Sequence, residues 1–230
     1  MKYLISLIAG MAAGAVVFLA LLYYNPMTSQ NKLSPLSVSD NEVITLNYSA
    51  VATDALVFTN DGQSTVAPYP SKVLQLWEPT VRLTDTMVTV LRDSRNQPVA
   101  IGIKFSSRSE STRILNGKAI IDSAWYVYLP EHGSLFIEQT ENYFPLIREV
   151  AFPAWRSSAS SWRGNWLGNL TAGPGALGTA AVTGGSGRVK GLKMEGVESM
   201  SVRAFSAETG LVSSEGRLLI EMPENPGGME

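Results

Sequence analysis

The chain has 230 residues, of which 18 are basic and 20 acidic, so its net charge is −2, and it contains one histidine and no cysteine. This length suits an anchor followed by one domain, and the weak net charge predicts no nucleic-acid partner. The lack of cysteine excludes disulfides, thiolate metal sites and a cysteine nucleophile, and a single histidine, His132, excludes a zinc site with two histidines. We therefore predict no metal site.

An uncharged run extends from Tyr3 to Tyr24. As a helix it would be about 33 Å long, which is enough for the ~30 Å hydrocarbon core of a lipid bilayer. A cleaved signal peptide would end in small residues, whereas this run ends in Leu-Leu-Tyr-Tyr-Asn-Pro. We therefore predict that residues 1–24 form an uncleaved transmembrane anchor.

The charges that flank this run predict its orientation. Lys2 precedes the run, and Lys32 is the only basic residue among the forty that follow it. By the positive-inside rule the N-terminus is cytoplasmic and the main domain is periplasmic or otherwise extracytoplasmic, which places the chain in the inner (cytoplasmic) membrane. Gly10 and Gly14 form a G-x-x-x-G motif, a candidate contact for a homodimer because it lets two helices approach closely.

Three segments follow the anchor. Residues 25–42 are polar and contain two prolines, a composition typical of an extended linker. Residues 43–223 are predicted to form the folded domain, and residues 224–230 a flexible tail.

Alternation of apolar and polar residues predicts that the folded domain is mainly β. In residues 44–48 and 99–105 every second residue is apolar, beginning with Ile44 and Val99, and we expect these apolar residues to form buried faces. Further strands are predicted at 55–58, 72–77, 81–91, 119–129, 134–139, 197–205 and 217–222. Turn sequences such as Asn116-Gly117 separate them, which favours an antiparallel meander.

One helix is predicted in this domain, over residues 142–151. Apolar residues from Tyr143 to Val150 follow a helical spacing, and Pro153 is expected to end the helix. Without crossover helices, a parallel sheet is disfavoured. The sequence therefore predicts a calycin-like antiparallel β-barrel, with a β-sandwich as the alternative.

A glycine-rich segment, Val182-Thr183-Gly184-Gly185-Ser186-Gly187-Arg188, ends an apolar strand. Such a turn binds a phosphate when a helix follows it, but no helical pattern follows Gly191, so we predict no nucleotide cofactor. The segment from Val182 to Leu192 resembles instead the glycine-rich turn of allene oxide cyclase and dirigent-like β-barrels. The resemblance implies a barrel in which this turn joins two strands, and it brings no catalytic residue.

Tryptophan and arginine are concentrated between residues 148 and 166. The candidate ligand-binding residues of this segment are Arg148, Trp155, Trp162, Arg163 and Trp166. Indole rings at this density cover apolar surface or meet a ligand, so the segment either caps one end of the barrel or forms a ligand mouth. Two candidates come from an earlier strand: Trp125, which is expected to point into the barrel, and Asp122.

No catalytic set is recognisable in the sequence. His132 lies in a predicted turn, where a solvated histidine is the ordinary outcome, and there is no G-x-S-x-G motif. Glu138 and Glu141 are interpreted as solvated acids rather than as a catalytic pair. The presence of one histidine and no cysteine therefore favours a binding module over an enzyme.

The resulting prediction is a membrane-anchored, extracytoplasmic barrel that binds a small apolar ligand or an envelope partner. The alternative is an enzyme of the cyclase, isomerase or lyase type that acts on an apolar substrate in the barrel. It predicts a buried carboxylate or arginine, with Asp122 and Arg148 as the first candidates. The second alternative is a purely structural or assembly protein, which predicts a filled barrel with an exposed apolar patch on its outside.

Overall fold

A computed structural model of the chain describes residues 2–24, 42–60, 63–66, 84–130 and 132–222. The predicted linker apart from Glu42, the predicted tail and the predicted strand at 72–77 lie outside these residues. Helix α1 (Lys2–Tyr24) comes first. Within the described residues twelve strands follow: β1 (Glu42–Ser49), β2 (Val57–Asn60), β3 (Gln63–Val66), β4 (Thr84–Arg92), β5 (Pro98–Arg108), β6 (Ile120–Leu129), β7 (Gly133–Asn142), β8 (Ser161–Asn169), β9 (Thr171–Gly173), β10 (Ala180–Gly184), β11 (Lys193–Ser206) and β12 (Gly210–Met222).

Eight of these strands form a closed antiparallel barrel in the order β1-β12-β11-β10-β7-β6-β5-β4. The pairing of Asn47 with Arg92 joins β1 to β4 and closes the ring. The remaining strands extend the sheet, since β8 pairs with β11, β9 with β7, and the hairpin β2–β3 with β4. The predicted antiparallel barrel is therefore confirmed over the alternative sandwich.

The barrel has two distinct ends. We call the turn end the one where short connections follow β4, β6 and β10, and the helix end the one where β7 leads into α2 (Phe144–Leu146). A π-helical turn (Ile147–Ala151) and α3 (Phe152–Arg156) continue from α2. The predicted helix thus extends beyond residue 151, and Pro153 does not end it. Pro153 lies in the first turn of α3, directly after the π-helical turn.

Helix α1 covers nearly all of the predicted anchor. Its described apolar side chains are exposed, Leu7, Met11 and Phe18 among them. Among the residues whose placement is described, no stretch of helix is both long enough and apolar enough to cross a membrane. The anchor, its orientation and the dimer contact at Gly10 and Gly14 therefore stay predictions from the sequence.

The predicted buried face of β5 is wrong. Lys104 points into the barrel together with Ala100 and Gly102, whereas Ile101 and Phe105 are 49% and 46% exposed on its outside. Part of the reason lies in Gly102, where a Cβ atom would stand 2.9 Å from the ring of Trp125, the large inward residue of β6. An eight-stranded barrel has just enough room for the side chains that fill it, so a large residue on one strand requires a small one on the next.

Apolar side chains fill the barrel toward the turn end. This cluster includes Leu46, Leu91, Val127, Leu135, Ile137, Val182, Leu218 and Ile220. A second apolar cluster closes the helix end, where Leu146 and Val150 pack with Trp166, Leu170, Met200 and Val202. Between these clusters the interior is polar. We call this region the polar layer, and its buried side chains include Lys104, Ser123, Gln139, Glu141, Thr171 and Glu198.

Candidate active site

Three charged residues meet in the polar layer of the barrel. Lys104 on β5, Glu141 on β7 and Glu198 on β11 are 6%, 0% and 0% exposed. Strand alternation carries them inward, since Lys104 is in phase with Gly102 and Glu141 with Ile137. We call these three residues the charge cluster. An unpaired charge in such a place would cost many kcal/mol, so the partners of each group decide what the cluster can do.

Glu198 is fully coordinated. Its Oε1 accepts hydrogen bonds from Lys104 Nζ at 2.7 Å and from the Tyr48 hydroxyl. Its Oε2 accepts from Trp125 Nε1 at 3.0 Å and from the Gln139 amide. Four donors on one carboxylate favour its ionised form. Burial alone would raise the pKa of Glu198, but Lys104 and these hydrogen bonds outweigh it, so the pKa is lowered.

Gln139 holds the two glutamates together. Its Nε2 donates to Glu141 Oε1 at 2.9 Å as well as to Glu198 Oε2. The Thr171 hydroxyl donates to Gln139 Oε1 at 3.0 Å and accepts a hydrogen bond from the Glu198 backbone N–H at 2.7 Å. Because the amide oxygen faces Thr171, the amide NH₂ must face the carboxylates.

Glu141 is coordinated on one side only. Its Oε1 lies 2.7 Å from Lys104 Nζ and accepts hydrogen bonds from Ser123 and Gln139. Its Oε2 has no hydrogen-bond partner among the described residues. Tyr143 lies beside Glu141 at the helix end, and burial, the charges of Glu141 and Glu198 and a side-chain interaction with Glu141 all raise the pKa of Tyr143. Its hydroxyl nevertheless makes no hydrogen bond of good geometry to Glu141 Oε2. Glu141 therefore has one fixed oxygen and one free oxygen.

The protonation of Glu141 differs from that of Glu198. Burial, and after it the charge of Glu198, raise the pKa of Glu141 despite the nearby Lys104 ammonium. The pKa values of two carboxyls in one site are thus driven apart, which is how acid and base roles are separated in known active sites. Of the two carboxyls, Glu141 therefore binds a proton more readily than Glu198.

Lys104 remains charged between the two glutamates. Burial alone would lower its pKa, but the charges of Glu141 and Glu198 reverse the effect and the pKa of Lys104 is raised. Its Nζ also lies 5.4 Å from the centre of the Trp125 ring, within reach of a cation–π interaction. Lys104 therefore does not supply the neutral amine that Schiff-base chemistry needs.

Two of the residues predicted for a site lie on β6, and the structure separates them. Trp125 is 1% exposed, points inward as predicted and donates to Glu198. Asp122 is exposed on the outer face of the barrel. Asp122, one of the two first candidates for a buried group, is therefore outside the charge cluster. The other, Arg148, is also outside it, because it lies on the π-helical turn and forms a salt bridge with Glu149 at 2.7 Å.

The other predicted residues lie at the helix end. Trp162 and Trp166 belong to the second apolar cluster, as a capping role requires, and Trp166 Nε1 donates to Glu149 Oε2 at 3.0 Å. Trp155 is 72% exposed, and Arg163 is exposed on β8. Their roles in ligand binding stay predictions.

Sequence reasoning missed the charge cluster. Glu138 is exposed as predicted, but the interpretation of Glu141 as a solvated acid is wrong. The signal was present on β7, because extending the alternation of Ile137 and Gln139 by two residues places Glu141 on the inner face. Glu198 lies in phase with Met194 and Met200 on the inner face of β11, so the same extension would have found it.

No protein-family model matches the chain, and no curated protein matches it either. Among solved structures, it is similar to a nonspecific heme-binding cyclase that catalyses a [4 + 2] cycloaddition in neoabyssomicin biosynthesis, with a TM-score of 0.39 and 10% identity over 86% of this chain and 76% of that one. It is also similar to the Diels–Alderase AbmU from Streptomyces koyangensis, with a TM-score of 0.34 and 10% identity over 84% and 76%. Similarity at this level carries no argument about function.

Proposed function

We propose that the chain is an enzyme of the isomerase, cyclase or lyase type, in which Glu141 is the general acid for an apolar substrate. One observation carries the proposal: Glu141 is a fully buried carboxyl with one oxygen held by three donors and the other without a partner. A general acid must hold its proton at working pH and deliver it from a free atom. The raised pKa of Glu141 favours the first condition, and its free Oε2 meets the second.

The neighbours of Glu141 suit the charge that proton transfer would create. When Oε2 gives its proton to an oxygen or an unsaturated carbon of the substrate, the negative charge on Glu141 faces Lys104 at 2.7 Å and the donors of Ser123 and Gln139. These donors are already in place, so no reorganisation is needed at the moment of reaction. In an isomerisation the carboxylate then removes a proton from another carbon, and the step balances without an oxidant or reductant.

The surroundings of the charge cluster favour an apolar substrate. Apolar side chains lie on both sides of the polar layer, and the rings of Tyr48 and Trp125 border it, with ring centres 5.1 Å apart. A charged substrate would lose its hydration in such a place without gaining new partners. Tyr143 is half-buried beside Glu141, so we propose that substrate enters at the helix end, which requires the second apolar cluster to open there.

The alternatives fit the interior less well. A calyx that binds an apolar ligand needs a hollow interior, whereas side chains from all eight barrel strands form the apolar cluster that fills the turn-end half of this barrel. An assembly protein would have a filled barrel and an exposed apolar patch, and this chain has both. It would gain nothing from three buried ionisable side chains, because well-packed apolar residues are commonly as stabilising or more so.

The experiment begins with the proton on Glu141. Infrared spectra of the full chain and of two variants are compared at neutral pH. The unaltered chain is expected to show the C=O band of a buried protonated carboxyl, which should be absent in Glu141→Gln and retained in Glu138→Gln. Glu138 is the matched control because it lies on the outer face of the same strand. A spectrum without this band, or a band that persists in folded Glu141→Gln, overturns the assignment.

Turnover is then measured with terpenoids and polyenes in D₂O, with products followed by mass spectrometry. Deuterium incorporation is expected with the unaltered chain and Glu138→Gln, and a loss of roughly 10²-fold or more with Glu141→Gln. If no compound is converted and none perturbs the tryptophan fluorescence of the chain, the enzyme proposal fails.

We also propose that residues 3–24 attach the barrel to a membrane as an anchor. The support is the uncharged run and the exposed apolar side chains of α1, which need an apolar environment. In a bacterial host, the full chain is expected in the membrane fraction after carbonate extraction. Val16→Arg with Leu19→Arg should release it, while Leu167→Arg with Val212→Arg on the barrel surface should not. Release of the unaltered chain by carbonate refutes the anchor.

A further inference from the structure

A groove crosses the outside of the barrel near the helix end. Its volume is about 520 Å³, within the range of small-molecule sites. Its walls include Phe105, Ala124, Glu138 and Pro174, and the first three occupy outward positions on β5, β6 and β7. Ser123 and Gln139 also border the groove, although their side chains are buried and donate to Glu141 inside the barrel. The groove therefore lies on the outer side of the sheet, directly behind the charge cluster, and the proposed active site uses only the inner side.

The groove carries unbalanced negative charge. Asp122 and Glu138 are both exposed in it, and neither makes an ion pair with any residue that the structure describes. None of its described lining residues is basic. Asp122 pairs with Thr140 and Ala124 with Glu138, so the two carboxylates lie diagonally on neighbouring strands, roughly 7–8 Å apart at their Cα atoms. Such a spacing leaves room for one cationic group between them.

An aromatic ring adjoins the two carboxylates. Phe105 pairs with Ala124 on the neighbouring strand and is 46% exposed. Because Ala124 is small, the space in front of it is open on one side to Phe105 and on the other to Glu138. An aromatic face next to carboxylates is a favourable setting for an organic ammonium.

An exposed apolar strip continues from Phe105 along the same outer face. Ile101 pairs with Tyr128, and both are about half exposed. Between them and Phe105 lie Tyr126 and Phe136, with ring centres 5.1 Å apart. From Phe105 to Ile101 the strip is roughly 13 Å long, at 3.3 Å per residue. Exposed apolar residues that adjoin one another in this way mark a binding surface.

We propose that this outer face binds an amphiphile with a cationic head and an apolar tail. The ammonium lies between Asp122 and Glu138 against Phe105, and the tail follows the strip toward Ile101 and Tyr128. Charge complementarity selects the head, because the groove offers carboxylates and an aromatic face but no cation among its described residues. The continuous strip selects a tail rather than a compact cation.

The test compares amphiphiles of equal length below their micelle concentrations. Calorimetric titration of the full chain with decyltrimethylammonium is expected to show binding about tenfold tighter than with decanol. Asp122→Asn with Glu138→Gln should remove this preference. Glu208→Gln with Glu215→Gln, which removes the same charge from exposed sites elsewhere, should leave it intact.

The tail is tested with Phe136→Ser. This variant should weaken decyltrimethylammonium binding about tenfold and leave the weak binding of ethyltrimethylammonium unchanged, because only the longer tail reaches Phe136. Equal affinity for the cation and decanol, an equal loss in both charge variants, or no binding at all overturns the proposal. Glu141→Gln should bind decyltrimethylammonium as the unaltered chain does. A failure of this binding proposal is therefore distinguishable from a failure of the proposed active site.

Discussion

The two halves of the barrel interior differ in chemistry although the same strands build them. Strand β7 contributes Leu135 and Ile137 to the turn-end half, and then Gln139 and Glu141 to the polar layer. Strand β5 changes in the same way, from Ala100 and Gly102 to Lys104. The change occurs at one level of the barrel, so it belongs to the architecture rather than to any one strand.

This difference indicates what each half is for. The apolar half stabilises the fold by removing side chains from water, and its members need only the right size and shape. The groups of the polar layer lose their hydrogen bonds to water, and only specific protein partners replace them. Glu198 has such partners on both oxygens, and Glu141 has them on one oxygen. A buried polar site that leaves one atom open departs from the rule of complete satisfaction, and such departures concentrate at functional sites.

The largest expected effect comes from removing the cation of the polar layer. Lys104→Met keeps the length of the side chain but leaves Glu141 and Glu198 without their shared ammonium. We expect the free energy of unfolding at neutral pH to fall by about 3–5 kcal/mol, because an uncompensated charge remains buried. Urea unfolding followed by fluorescence measures it, with Lys193→Met as the exposed control on β11.

A triple variant separates the charge from the packing. Lys104→Met with Glu141→Gln and Glu198→Gln removes all three ionisable groups and keeps similar volumes. It should recover most of the stability lost in Lys104→Met, since apolar or neutral replacements of buried ion clusters are commonly tolerated. A loss below about 1 kcal/mol in Lys104→Met alone would show that water reaches the charge cluster, and the comparison between the halves would no longer hold.

Most of the barrel could be predicted from the sequence. Alternation identified β1 and located the inward Trp125, because there the apolar residues do face the core. The same rule predicted the wrong buried face for β5, since it assumes that the larger apolar residues face inward. In a narrow barrel, the ring of Trp125 requires Gly102 beside it, and the apolar residues Ile101 and Phe105 remain outside.

The candidate site was harder to predict for a physical reason. Lys104 and Glu198 are 94 residues apart, and each is stable inside only because the other is there. A single sequence shows no pairing over that distance, so a buried charge looks like a solvated one. The inward position of Glu141 was easier to predict, because Glu141 follows Ile137 and Gln139 on the inner face if β7 continues past Gln139.

The second prediction concerns pH, which acts on the polar layer and leaves the apolar half unchanged. The folded chain keeps the proton of Glu141 above the ordinary pKa of glutamate, because burial raises that pKa. Stability should therefore fall as pH rises from the ordinary value to the raised one, by at most ~1.4 kcal/mol per pH unit. Glu198 acts oppositely: its pKa is lowered, so its contribution is present above the ordinary value and is lost as pH falls through the lowered one.

Urea unfolding across the acidic to neutral range checks this prediction. Glu141→Gln should abolish the fall in stability with rising pH, and Glu198→Gln should flatten the acid limb. Leu135→Ala is the reference from the apolar half, because its loss of about 2–5 kcal/mol should be the same at every pH. A Glu141→Gln profile that parallels the unaltered chain would mean that Glu141 is already ionised near its ordinary pKa.

The smallest expected effect is outside the barrel, at the salt bridge between Arg148 and Glu149 on the π-helical turn. Its Nη2–Oε1 distance of 2.7 Å equals those in the charge cluster, but the two side chains are 18% and 34% exposed rather than buried. Water competes for both groups, so Arg148→Ala should lower the free energy of unfolding by less than about 1 kcal/mol, and the loss should shrink in 1 M salt. Lys104→Met should show no such salt dependence, since ions do not reach the polar layer. A loss at Arg148 as large as that at Lys104 would mean that distance, and not burial, sets the strength of ion pairs in this protein.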